Sequence, residues 1–207
     1  MAEVNTELMR SRACERSFRV MMWGFLFLLP VPLKWQPDIG TWILLLAGLF
    51  AISALHEVVR HLQMIAAVGL ALWVPRAILP HVAVAHQQAV MLLLYAATWV
   101  VAFVFVWRLC GLVAQMALKA SADSVAQGAR WRRWVPLIPL LLVALTPIAR
   151  KAQLPDAVII AVFVLAALVT VCALMGLMST TARLCAQFRV EQQAVEPAAE
   201  ADQAPEA

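Results

Sequence analysis

The sequence predicts an all-α, polytopic membrane protein of about six transmembrane helices arranged as three hairpins. Three observations carry this. The 207-residue chain is 64% hydrophobic and 14% charged, with a mean hydropathy of +0.84. A soluble domain of that size cannot hide so much apolar surface, whereas a bilayer accepts it as solvent. Second, residues Met21 to Leu29 and Ile39 to Leu55 are free of charge and flank a polar, proline-rich stretch, Pro30 to Asp38. Third, the same plan of apolar run, tip and apolar run recurs twice further on. Each crossing of about 30 Å needs roughly 20 apolar residues at 1.5 Å each, so the length accommodates about six spans with short loops and two tails.

Residues 1–17 mix Glu3, Glu7 and Glu15 with Arg10, Arg12 and Arg16 and read as a cytoplasmic tail with room for a short helix. The membrane domain then covers 18–190. Its first span, about 18–33, is short and ends at Pro30 and Pro32, which break the last turn of a helix. The second, 39–59, opens after Pro37 and Asp38, both suited to a helix N-terminus. Within it Ala47, Gly48 and Ala51 form a small-residue face that admits a close helix neighbour. His56, Glu57, Arg60 and His61 mark a tight turn into the third span, 62–79.

The fourth span, 85–107, ends at Arg108, but helix-favouring residues continue through Lys119 to about Gln127, with a break expected at Gly128. Arg130, Trp131, Arg132, Arg133 and Trp134 follow as an inner-leaflet anchor, basic and aromatic. This stretch reads as an ordinary extension and anchor for the next span rather than as a surface helix gathering anionic lipid. The fifth span, 135–149, carries Pro136, Pro139 and Pro147; the sixth is 157–177. Residues 191–207, acidic and alanine-rich, read as a disordered tail.

The hairpin tips supply the candidate site residues: Lys34, Pro37, Asp38 and Gly40; Arg76, Pro80 and His81; Lys151, Pro155 and Asp156. They are alike enough to suggest a duplicated hairpin. The preference of any helical hairpin for a base at one helix end and Pro-Asp at the next start explains most of the likeness. Of the 16 lysines and arginines, only Lys34, Arg76, Arg150 and Lys151 fall at the tips. The positive-inside rule therefore places both termini in the cytoplasm, with the chain in a bacterial inner membrane. The basic balance belongs to topology, not to nucleic-acid binding.

No catalytic, cofactor or metal site is expected. His56 to His61 imitates H-E-x-x-H only loosely, because position 60 is Arg and the histidines stand five apart. Glu57, Arg60 and His61 read better as a local ion-pair cluster. The span interiors offer Ser53, Tyr95, Thr98, Thr146, Thr170 and Cys172 as polar groups, with charges confined to span ends. That disfavours a proton relay or voltage sensor. The four cysteines lack metal spacing and are expected as reduced thiols. The leading function is a non-enzymatic membrane subunit or helix-packing partner, with the bilayer and other membrane proteins as its partners. The alternative is a small transporter or lipid-handling protein with a cavity between the hairpins. A membrane enzyme would require His81, His86 and Asp38 or Asp156 to converge.

Trp23-Gly24-Phe25, the tip Pro37-Asp38-Ile39-Gly40 and Ala129-Arg130-Trp131 resemble the motifs of an uncharacterised family of small six-span bacterial membrane proteins. The likeness covers about residues 18–185. This chain departs from that pattern in a tip shorter by one apolar residue, in Thr41 where an aromatic is usual, and in a less acidic 108–134 helix. The resemblance implies six helices and no assigned activity.

Overall fold

The computed structural model describes residues 12–26, 39–52, 57–79, 87–138, 141–142, 145, 151, 153 and 155–201; for Leu26, Gln88, Leu92, Tyr95, Asp156 and 191–201 it describes the backbone alone. These residues form helices and turns, with no strand among them. The helices are α1 (Arg12–Leu26), α2 (Ile39–Phe50), α3 (Glu57–Ile78), α4 (Gln87–Lys119), α5 (Asp123–Arg132) and α6 (Asp156–Ala201). Three are long and apolar enough to cross a bilayer: Glu57–Ile78, Ala89–Lys119 and Ala157–Val190. The six crossings expected from the sequence are not reached within the described residues. Most of span five and the tips at Lys34 to Asp38 and Pro80-His81 lie outside them.

α1 begins at Arg12, inside the stretch expected to be a tail. The reason is amphipathicity. Cys14, Phe18, Met21 and Phe25 are buried at i, i+4, i+7 and i+11, while Arg12, Arg16, Arg19 and Trp23 keep the same spacing on the exposed face. An arginine stripe along one side makes α1 a two-faced helix instead of a uniformly apolar span. α2 also differs from expectation. It stops at Phe50, and Ala51-Ile52 turn, the Ile52 N–H donating to the Leu49 carbonyl at 3.1 Å. The turn lets Ile52 and Val59 enter the same core, both fully buried, with Val59 now in α3. The 12 residues of α2 cover about 18 Å, short of a bilayer.

α1 and α2 pack antiparallel at a glycine crossing. A Cβ on Gly48 would lie 2.7 Å from Met21 Cγ and 2.9 Å from the Ser17 carbonyl oxygen; one on Gly24 would meet Leu44 Cβ at 3.2 Å. The small-residue face at Gly48 is thus occupied by this chain's own α1. α3 joins through Gly69, where a Cβ would sit 2.6 Å from the Trp42 ring. Trp42 in turn meets Phe105 of α4 edge-on, centroids 6.1 Å apart. Arg76 lies beside Thr98 and the Gln87 amide donates to the Leu79 carbonyl at 3.0 Å, so α3 and α4 run antiparallel as a second hairpin.

α6 closes the core against α1. The Cys14 and Cys185 sulfurs are 3.0 Å apart, and Glu15 holds Arg189 at 3.0 Å and Arg19 at 2.6 Å. The start of α1 and residues 185–189 of α6 are therefore neighbours. α6 continues to Ala201, into the stretch read as a disordered tail.

The helix break expected at Gly128 occurs earlier. Gly128 lies inside α5, and α4 ends at Lys119 in a Schellman motif: Ala122 N–H donates to the Ala117 carbonyl at 2.8 Å and Ser121 N–H to that of Leu118 at 3.1 Å. Ser121 takes the left-handed conformation at φ 53°. The turn folds α5 back so that Ala126 packs with Ala117 of α4 and Leu184 of α6.

Candidate functional site

The corner where α4, α5 and the residues after it meet gathers three arginines, Arg130, Arg132 and Arg133, and three tryptophans, Trp107, Trp131 and Trp134. Trp107 ends the apolar half of α4, and Trp134 meets it edge-on at 4.5 Å. The Arg133 guanidinium lies 4.4 Å over the Trp107 ring and 5.4 Å from that of Trp134. Its Nε makes no hydrogen bond, so the cation is held through the ring faces. Residues 134–138 continue as tight i→i+3 turns, Trp134 N–H on Trp131 O and Val135 N–H on Arg132 O among them. Trp131, in the last turn of α5, is 72% exposed, and Trp134, in the turns that follow, is 43% exposed. Gln127, Arg130, Trp131 and Trp134 line an open recess of about 360 Å³.

Of the five residues expected as an anchor, the structure brings all to this corner but divides their roles. Arg130 and Trp131 are exposed, Arg132 lies along Gly128, Arg133 lies over the Trp107 ring and Trp134 meets that ring edge-on. Trp107 is the member that sequence reading missed. Its position one residue before Arg108, at the end of an apolar run, was the available signal.

Of the ten hairpin-tip candidates, Gly40, Arg76, Lys151, Pro155 and Asp156 lie among the described residues. Gly40 lies half-buried in the first turn of α2. Lys151 and Pro155 are exposed, and the Pro155 carbonyl accepts the N–H groups of Val158 and Ile159, opening α6 directly before Asp156. Lys34, Pro37, Asp38, Pro80 and His81, with His56 and His86, lie outside the described residues. Arg76 behaves differently from a surface tip residue. It is 6% exposed, in the last turn of α3, and its Nη1 donates to Thr98 Oγ1 at 3.3 Å. The Thr98 hydroxyl in turn donates a hydrogen bond to the Leu94 carbonyl at 2.8 Å. The sequence places Thr98 at the middle of a span, so a buried arginine faces a position expected to be far from charge.

Thr170 is buried and bonded back to its own helix at Ala166. Glu57, Arg60 and His61 fall in the opening turns of α3 rather than in a loop. The link among them is His61 Nδ1 to the Glu57 backbone carbonyl, 3.1 Å, with no side-chain ion pair joining them among the described residues. No cluster of three or more metal-ligating side chains occurs among the described residues. All four cysteines are free thiols. Cys14, outside the apolar runs, has its pKa pushed up by the hydrogen bond with Cys185 and by burial.

Comparison with family models, curated proteins and solved structures gives no match to this chain.

Proposed function

We propose that the chain is a non-enzymatic structural subunit of the bacterial inner membrane, anchored by its apolar hairpins and presenting a helical platform on the cytoplasmic side. The observation that carries this reading is length. α4 has 33 residues and α6 has 46, about 50 Å and about 69 Å of helix against about 30 Å of hydrocarbon. Both helices outrun the bilayer, and α1, α5 and the 182–189 part of α6 pack about their overhanging ends. The start of α1 beside residues 185–189 of α6 supports termini on one side. The charge asymmetry supports the cytoplasm as that side.

A subunit needs a partner, another copy or another membrane protein. Light scattering on the full chain, extracted from its own membrane in a gentle detergent, is expected to give a protein mass above one protomer. A strictly monomeric particle in every gentle detergent, with helicity intact by circular dichroism, would overturn the proposal.

A further inference from the structure

We infer that the recess lined by Gln127, Arg130, Trp131 and Trp134 holds the headgroup of an anionic phospholipid. The inference rests on α4 being a membrane span, as proposed above, and adds a specific ligand to the corner where that span ends.

Charge comes first. Arg130, Arg132 and Arg133 lie within one turn of chain, and no acid occurs between Gln127 and Trp134. The carboxylate on the same face of α5, Asp123, stands two turns away, about 10 Å along the axis. Among the described residues no ion pair occupies Arg130, whereas Arg19 and Arg189 are both held by Glu15. An exposed cation without a counter-ion next to apolar surface attracts a phosphate strongly, at close range and in low dielectric.

Shape and polarity then select a lipid over a free anion. The recess is lined by two indoles, Trp131 exposed and Trp134 partly so, and an indole is the side chain that settles at the depth of glycerol and headgroup. A soluble phosphate gains nothing from those walls; a phospholipid buries its glycerol region against them. Gln127, exposed one turn before Arg130–Trp131, adds an amide donor for phosphate oxygen or headgroup hydroxyl. Arg133 is already committed to Trp107 and Trp134, which fixes the wall and leaves Arg130 as the headgroup contact.

The test uses the full chain in detergent, with native mass spectrometry counting bound lipid as phosphatidylglycerol or phosphatidylcholine is added. One phosphatidylglycerol is expected to be retained about fivefold better than phosphatidylcholine, the ratio that about 1 kcal/mol per base at an anionic surface corresponds to. Arg130→Gln should abolish the preference, and Trp131→Ala should weaken binding of both lipids. Arg183→Gln, an exposed base on α6 outside the recess, should leave the preference intact. Millimolar inorganic phosphate should not compete; if it does, the site takes a free anion and the lipid assignment falls. Equal retention of the two lipids, or equal loss in Arg130→Gln and Arg183→Gln, would also overturn it. The same spectra report the protein's own mass, so failure of the subunit reading is seen separately.

Discussion

Replacing Gly48 with alanine should destabilise the protein, although the same change at Gly111 should stabilise it. At Gly48 the new methyl would stand 2.7 Å from Met21 Cγ and 2.9 Å from the Ser17 carbonyl oxygen. The methionine can rotate away, but the carbonyl belongs to the α1 backbone and is fixed by its helix. Overpacking of this kind costs about 1–3 kcal/mol. A methyl added at Gly111, on the exposed face of α4, would meet nothing within 4 Å. There alanine only restores helix propensity, a gain of up to about 1 kcal/mol. Both glycines are helical, so propensity cancels in the comparison and the difference, about 1–3 kcal/mol, isolates the clash.

The assay is loss of helicity by circular dichroism as sodium dodecyl sulfate is titrated into dodecyl maltoside micelles, which compares variants in one solvent. Gly176→Ala, also without a neighbour within 4 Å, provides a second control. If Gly48→Ala unfolds at the same midpoint as Gly111→Ala, α1 and α2 do not meet at this crossing. The antiparallel hairpin at the centre of the fold would then be wrong.

Two more perturbations probe the corner and the topology. Ser121→Gly should stabilise the chain by about 0.5–1 kcal/mol, because a left-handed serine carries a steric cost that glycine avoids, partly offset by glycine's greater freedom when unfolded. Ser121→Val should lower stability in the same titration; finding it neutral would place the α4 break elsewhere, as at Gly128. Single cysteines at Gln36, His81 and Gln153, introduced with the native cysteines replaced by alanine, should label from outside intact cells, and one at Gln127 should not. Labelling at Gln127 from outside would invert the orientation on which the platform is proposed.

The all-helical architecture was legible in the sequence, because charge-free runs bounded by proline and basic residues encode burial in hydrocarbon whatever the neighbours are. Of the basic-aromatic corner, only the contiguous run Arg130 to Trp134 could be seen in the sequence; its contact with Trp107 could not. Where helices stop was not legible. α2 ends at Phe50 without glycine or proline, and the break after α4 falls at Ser121 while α5 runs straight through Gly128. Local propensity ranks those positions the other way; tertiary contacts at Ile52, Val59 and Ala126 outweigh it. The same holds for α1, whose charged start looked like a tail until Cys14 and Glu15 met Cys185 and Arg189 across nearly the whole chain. A window of sequence sees periodicity and charge. It cannot see which distant helix will cover a face, and that alone decided that Gly48 packs inward, that Arg76 is buried beside Thr98, and that Trp107 backs the recess wall at Trp134.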